Sequence, residues 1–442
     1  MLYACAVMIS SQASYIKSSY MTDILPKRSI PKSDPSQLVN GARLWRRLGE
    51  LACFGATATG GVRRPALSPA EIAARRQVLA WALDAGLTAA SDPAGNLFFR
   101  LEGSRPHDAP VLTGSYLDSQ PDGGRFSGSY GMLAALEAMA AIAALGRPPG
   151  RPIVAAAWMN GEGARFSPGY TGSAAFAGLQ SMTDILTIRD QAGVTVAQAL
   201  ADWRAASCDV PRIALGFPCA AYLETHLEQG PALYDSGRQI GIVTGMQGVR
   251  RFQIRVEGEA AHASSAPKHK RRDALSAAVR IISALEDFYA APDVTFTVGQ
   301  LSIEPNAPSV VPRECRFSVD IRHQDDTVLA RLGDAIKLIC ASERQPCAVT
   351  LSDISASTSL IFDPALQTLT AACAQRLGLT SMPLLSLGGH DAKSLLAHCP
   401  GGIVFIPCHG GVSHSEAETI DPESARNGAM LLADALWELS IR

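Results

Sequence analysis

The apolar positions of this chain alternate between helical spacing and short continuous runs from Val39 onward. Ser68 followed by Glu71 predicts the capped start of one helix. Further helices are predicted over residues 41–54 and 131–145, and strands over residues 96–100, 110–113 and 153–158. Strands that alternate with helices predict an α/β layer with a largely parallel sheet.

A second pattern begins near Gly248. It reads strand, helix, strand, strand, helix, strand, over residues 251–256, 273–288, 294–301, 315–321, 327–341 and 348–351. Such an order predicts a compact α+β unit of about a hundred residues, inserted into the larger domain. The predicted organisation is therefore a large domain in two parts, 37–246 and 353–442, around a small domain, 247–352. Residues 1–36 contain a proline-rich stretch and are predicted to be a disordered or linker-like extension.

Composition narrows the classes of partner. Hydrophobic residues make up 47% of the 442 positions, and 39 basic against 41 acidic side chains leave a net charge of −2. This balance gives no electrostatic reason to expect nucleic acid or an anionic membrane, and no apolar run is long enough to predict a membrane-spanning helix. The ten cysteines include no CxxC pair. We therefore expect reduced thiols and a cytoplasmic protein.

Candidate chemistry concentrates in loops that follow predicted strands, where α/β proteins place their sites. The segments are 114–128, 158–166, 224–231, 258–263, 306–312, 320–322, 389–391 and 408–414. In order and spacing, these motifs resemble those of the zinc-dependent amidohydrolases of the hydantoinase/carbamoylase family. That family includes N-carbamoyl-L-amino-acid hydrolases, allantoate amidohydrolases and β-ureidopropionases. The resemblance implies a two-metal aminopeptidase-like catalytic domain with an inserted α+β dimerisation (lid) domain, and a homodimer formed through it.

The resemblance also identifies metal positions, of which only some keep the family's residue type. Three residues match metal ligands: Glu162, His226 and His414. Tyr116 stands where the family has a ligand histidine, Ser127 where it has the aspartate that bridges two metals, and Gly161 where it has the glutamate that serves as general base.

These replacements weigh against two-metal hydrolysis. Two divalent ions about 3.5–4 Å apart repel unless an anion lies between them, and the Ser127 hydroxyl is neutral. Gly161 has no group that could take a proton from water. We expect at most one zinc or manganese ion and possible substitute ligands among Asp118, Cys408 and His409, or no ion at all.

The family's substrate-binding positions keep their residue types better than its metal positions do. By resemblance, the residues that hold substrate are Gln229, His262, Asn306, Ser309 and Arg322. His262 matches a lid histidine that reaches the scissile carbonyl across the dimer and is the expected catalytic residue. Arg322 matches the arginine that grips the substrate carboxylate. Ser309 replaces a family asparagine, for which Asn306 is a partial substitute, and His390 keeps a Gly-His-Asp turn. The expected partner is a small ureido or amide carboxylate.

Three hypotheses stay open at this point. The first is a hydrolase of linear C–N bonds with a rebuilt metal site. The second is a non-catalytic homologue that binds a small carboxylate or pairs with an active paralogue. The third is a metal-independent acid–base enzyme that uses His226, Glu162 and His262 as proton carriers.

Overall fold

A computed structural model describes residues 34–291 and 293–442 of the chain. Most of the expected N-terminal extension therefore lies outside the described residues. Its last residues form a 3₁₀ helix, Pro35–Leu38, whose Ser36 is buried. The Ser36 amide donates a 3.1 Å hydrogen bond to Asp434, so this short segment is attached to the C-terminal helix.

Twelve α-helices and sixteen strands are present in the described ranges. The helices are α1 (Gly41–Ala52), α2 (Pro69–Asp84), α3 (Ser129–Ala143), α4 (Thr171–Phe176), α5 (Met182–Thr187), α6 (Val196–Ala206), α7 (Ala232–Ser236), α8 (Ala274–Phe288), α9 (Asp326–Glu343), α10 (Pro364–Arg376), α11 (Ala392–Leu395) and α12 (Pro422–Ile441). The strands are β1 (Thr88–Ser91), β2 (Leu97–Leu101), β3 (Val111–Tyr116), β4 (Ile153–Trp158), β5 (Ala221–Leu227), β6 (Ile240–Met246), β7 (Gly248–Glu257), β8 (Ala261–His262), β9 (Thr295–Thr297), β10 (Leu301–Glu304), β11 (Val310–Val311), β12 (Glu314–His323), β13 (Ala348–Ser357), β14 (Leu360–Ile361), β15 (Ser381–Ser386) and β16 (Gly401–Ile406).

The large sheet has the strand order β1-β2-β4-β3-β5-β16-β6-β14, with β15 also beside β6. The predicted α/β class is confirmed, but the prediction of a largely parallel sheet is only half right. Strands β4, β3, β5 and β16 form a parallel centre, and β15 is parallel to β6. The β1–β2, β2–β4, β6–β16 and β6–β14 pairs are antiparallel.

Helices α3 and α12 pack on one face of this sheet, and α1 packs against both of these helices. Helix α3 is almost wholly apolar and is buried along nearly its whole length, as its sequence predicts. The parallel register aligns Tyr116 with Trp158 at the ends of β3 and β4, and Leu227 with Ile406 at the ends of β5 and β16. The carboxyl ends of the four central strands therefore lie at one edge of the sheet.

A second, antiparallel sheet has the order β10-β12-β7-β13, with β9 also beside β12. Helices α8 and α9 pack on one face around Phe252, Ile254 and Phe317. The opposite face carries polar residues of β7 such as Arg251 and Gln253. Strand β13 continues to Ser357, so this sheet extends past residue 352. A separate two-stranded ladder pairs His262 of β8 with Val310 of β11. None of the helices in the described ranges combines the length and apolar character needed to cross a bilayer.

Candidate active site

The carboxyl ends of β3 and β5 bring Tyr116 and His226 together. Both side chains are buried, and the Tyr116 hydroxyl lies 3.3 Å from His226 Nε2. The Gly128 amide donates to the same nitrogen over 3.3 Å, and His226 Nδ1 lies 3.0 Å from the Leu227 carbonyl oxygen. These contacts assign the imidazole proton to Nδ1 and leave Nε2 as the acceptor. The Nε2 lone pair, which would bind a metal, is therefore engaged by hydrogen bonds from the chain.

Tyr116 also fills the space above Gly161, which lies in the loop that follows β4. A β-carbon placed on Gly161 would lie 2.2 Å from Tyr116 Cγ and 2.4 Å from Cδ1. No side chain at position 161 is compatible with this position of the ring. The residues at positions 116 and 161 are thus linked by a steric contact that the sequence alone does not show.

Ser127 is held by Glu418, a residue that sequence analysis did not single out. The Ser127 hydroxyl donates to Glu418 Oε2, and the Ser127 amide donates to Oε1 over 2.9 Å. The Phe126 amide and the Ser413 hydroxyl donate to the same buried carboxylate. Gln229 Nε2 donates to the hydroxyls of Ser127 and Ser413. Glu418 thus accepts the hydrogen bonds of the polar groups around position 127, where the family has its bridging aspartate.

Glu162 lies in the loop after β4 and contacts Gln120 and His414. Its side chain is 6% exposed, accepts a 2.8 Å hydrogen bond from Gln120 and lies 3.7 Å from Nε2 of the exposed His414. Burial raises the pKa of Glu162, and the neighbouring His414 and the hydrogen bond from Gln120 oppose that shift.

The three expected substitute ligands have other partners. The Asp118 carboxylate accepts the amides of Gly161 and Glu162 over 2.9 and 3.1 Å, which fixes the loop after β4. Cys408 is buried with its thiol directed to the Gly230 carbonyl, and His409 Nε2 lies 3.0 Å from Asp421.

Another set of side chains does converge. In Glu224, His226 and His390, one potential metal-ligand atom from each side chain lies within 4.8 Å of the other two. Within residues 34–291 and 293–442, the family's ligand positions Glu162, His226 and His414 do not meet this condition. All three residues of the converging group are buried. Burial and the neighbouring Asp391 raise the pKa of Glu224 well above its usual value, and burial lowers the pKa of His390. Burial likewise raises the pKa of Asp391 to about 7. Glu224 was missed in the sequence, although its position two residues before His226 on one strand places both on the same face.

Arg322 of the small domain reaches the large domain. Its guanidinium Nε donates to Asp320 over 2.9 Å, and Nη1 donates to the Leu387 carbonyl over 2.7 Å, three residues before His390. Gln229 lies close to the same turn, since a β-carbon on Gly388 would be 3.3 Å from Gln229 Oε1.

The remaining predicted substrate residues lie apart from this turn. His262, Asn306 and Ser309 are exposed on the small domain, where the Ala263 amide donates to the Ser309 carbonyl. In the described part of the chain, no hydrogen bond joins the His262 side chain to Glu162, His226, His414 or Arg322; its imidazole accepts from the Ser264 amide.

Comparison with known proteins places this geometry in a family. The family model described as Peptidase family M20/M25/M40 matches residues 114–438. An N-carbamoyl-L-amino-acid amidohydrolase of Rhizobium meliloti is 35% identical over 408 residues, covering 90% of this chain and 96% of that protein. An allantoate amidohydrolase of Bacillus subtilis is 32% identical over 394 residues, covering 88% and 95%. The crystal structure of a hydantoinase/carbamoylase family amidase from Burkholderia multivorans is 38% identical, with a TM-score of 0.85 over 91% of this chain and 98% of that one. The chain belongs to peptidase family M20/M25/M40 and, within it, groups with the hydantoinase/carbamoylase amidohydrolases.

Proposed function

We propose that this protein binds a small ureido or amide carboxylate, of the kind for which its relatives are named, and lacks the two-metal hydrolytic centre that the resemblance implies. One observation carries the proposal: the Tyr116 ring covers Gly161 while its hydroxyl lies 3.3 Å from His226 Nε2. The ring thereby excludes a general base at position 161, and the hydroxyl occupies the nitrogen of His226 that would bind a metal.

The charges around the site argue in the same direction. A pair of divalent ions requires a shared anion, whereas the neutral Ser127 hydroxyl donates a hydrogen bond to Glu418. The ligand atoms of Glu162, His226 and His414 do not converge. The residues present therefore do not fit a two-metal centre, and we derive no catalytic step through one.

Arg322 is the group that we propose for carboxylate recognition. A guanidinium has five N–H donors, and Arg322 uses three of them on Asp320 and Leu387. Two donors remain for a ligand beside the turn that Gln229 also approaches. A planar fork of this kind suits a carboxylate.

We also propose a homodimer formed through the small domain, in a cytoplasmic protein. His262, Asn306 and Ser309 are exposed on one edge of that domain, as expected if they complete the site of a second copy. The cysteines of the described residues are all free thiols, which suits a reducing compartment.

The test measures binding and turnover side by side. The full-length protein, incubated with Zn²⁺ or Mn²⁺, is offered N-carbamoyl-L-amino acids and allantoate. We expect saturable thermal stabilisation without release of hydrolysis products, and loss of the stabilisation in Arg322→Ala. Hydrolysis at the rate of an active family member prepared in parallel would refute the loss of two-metal chemistry. Absence of stabilisation by every compound would refute the binding proposal.

A second candidate is metal-independent hydrolysis, favoured by the 3.7 Å separation of Glu162 and His414 at a solvent-facing edge. A carboxylate beside an imidazole is a common acid–base pair. This candidate requires turnover that survives exhaustive chelation and is lost in Glu162→Gln. Turnover that chelation abolishes would exclude it.

A further inference from the structure

The group Glu224, His226 and His390 contains buried polar atoms without partners. Glu224 Oε2 accepts the Tyr222 hydroxyl over 3.0 Å and the Ala392 amide over 3.3 Å. Its other oxygen, Oε1, makes no hydrogen bond, and neither does His390 Nδ1. These two atoms are 4.0 Å apart. A buried acceptor left without a partner costs about 1–3 kcal/mol, so such a pair points to a missing occupant.

The surroundings of the group also favour a positive occupant. A second buried carboxylate, Asp391, follows His390 directly. Among the described residues, no lysine or arginine lies within 4.0 Å of Glu224; its one ionic neighbour is His390. Two buried carboxylates without a cationic side chain are costly, and a divalent cation would compensate them.

We infer that Glu224, His226 and His390 bind one divalent transition-metal ion. Glu224 Oε1 and His390 Nδ1 are free to bind it, whereas His226 Nε2 would exchange its 3.3 Å contacts with Tyr116 and Gly128 for the ion. Two imidazoles and one carboxylate form a ligand set used for Zn²⁺, Mn²⁺ and Fe²⁺. Ligand atoms around a tetrahedral ion with bonds of about 2.0–2.1 Å lie roughly 3.3 Å apart, so the 4.0 Å gap between Glu224 and His390 closes with a small side-chain movement. This site shares only His226 with the ligand set implied by family resemblance.

The ligands come from two elements that the ion would join. Glu224 and His226 lie on β5, whereas His390 lies in the turn before α11. That turn begins at Leu387, whose carbonyl accepts the hydrogen bond from Arg322. The ion would therefore fix the turn against the sheet. All three ligands are buried, so the ion would hold structure together without contacting substrate.

The experiment uses the full-length protein, stripped with chelator, incubated with Zn²⁺ and dialysed. We expect elemental analysis to find about one zinc per chain and the thermal midpoint to rise. Glu224→Gln and His390→Gln should weaken zinc binding at least tenfold, whereas the matched controls Glu162→Gln and His414→Gln should retain it. Absence of retained zinc, or the reverse pattern among the four variants, overturns the inference.

A wild-type measurement covers the case in which the buried variants do not fold. Anomalous diffraction at the zinc edge locates the ion in crystals of the loaded protein. A peak between Glu224 and His390 supports the site. A peak beside Glu162 and His414, or a water molecule in place of the ion, overturns it. The inference does not rest on the proposed ligand binding, which the Arg322→Ala variant tests separately.

Discussion

The ring of Tyr116 covers Gly161 so closely that a β-carbon at position 161 would lie 2.2 Å from Tyr116 Cγ. We expect Gly161→Ala to lower the free energy of unfolding by about 1–3 kcal/mol, because overpacking displaces the ring or the loop. In a Tyr116→Gly background, which removes Cγ, Cδ1 and the Tyr116 β-carbon that lies 2.6 Å away, the same change should cost less. A double-mutant cycle in urea measures the coupling, expected at about 0.5–3 kcal/mol.

Gly49 supplies the matched control for this cycle. It lies within α1, and a β-carbon there meets no atom within 4 Å. Gly49→Ala should stabilise the protein by up to about 1 kcal/mol through helix propensity, with no dependence on Tyr116. Equal costs of Gly161→Ala in both backgrounds would show that Tyr116 does not occupy this space.

Ser127 and Glu418 give a second prediction. Ser127→Asp would place another carboxylate beside Glu418 and remove a donated hydrogen bond. We expect a loss of about 1–3 kcal/mol at pH 7, measured by urea unfolding. Repulsion raises the pKa of the introduced carboxyl above its unfolded value near 3.9, so the loss should shrink as the pH falls toward that value.

The control for this change is Ser127→Ala, which removes the hydroxyl without adding charge. It should cost about 1 kcal/mol, with little dependence on pH. If Ser127→Asp is as stable as wild type at pH 7 even in chelator, Glu418 does not contact position 127 in the folded protein.

Local patterns predicted most of the elements, because periodicity reports which face of an element is buried. The strand over 153–158 coincides with β4, and the buried helix over 131–145 coincides with most of α3. The single strand predicted over 294–301 is instead two short strands, β9 and β10. The antiparallel outer strands were not predicted, since strand direction depends on contacts distant in sequence.

The sequence predicts individual residues of the candidate site but not which of them contact each other. The sequence identifies Ser127 but not its partner, because Glu418 lies 291 residues away. Glu224 and His226 carried a readable signal as neighbours on one strand face. Their approach to His390 depends on how α11 packs against β5, which no local pattern encodes.

The buried carboxyl of Asp92, near the loop that carries Glu162, predicts that the free energy of unfolding depends on pH. Its carboxylate accepts from Asn96, and Asn96 in turn accepts the Met159 amide at the end of β4. Burial raises the pKa of Asp92 to about 6. The folded state therefore holds a proton that the unfolded state releases. Its contribution to stability is fully present below about pH 4 and is lost as the pH rises through 6, a change of roughly 3 kcal/mol.

Urea unfolding between pH 4 and pH 7 checks this expectation. The difference in stability between wild type and Asp92→Asn should change across that interval. Asp202 is exposed on α6, and Asp202→Asn is the matched control that should run parallel to wild type. Parallel curves for wild type and Asp92→Asn would contradict the assigned pKa.

Arg322 and Arg251 both donate to Asp320, but only Arg322 also reaches Leu387. Arg322→Lys keeps the charge and loses the planar fork. We expect it to weaken binding of an N-carbamoyl amino acid about 10- to 100-fold, since a charge-assisted hydrogen bond contributes about 1.5–3 kcal/mol. Arg251→Lys is the matched control and should bind as wild type does.

Titration calorimetry with the ligand and with its carboxamide distinguishes direct recognition of the carboxylate by Arg322 from an indirect effect through Asp320. If recognition is direct, the carboxamide should bind wild type and Arg322→Lys equally weakly. Equal weakening of the carboxylate ligand in both lysine variants would assign the effect to Asp320 and would refute direct recognition by Arg322.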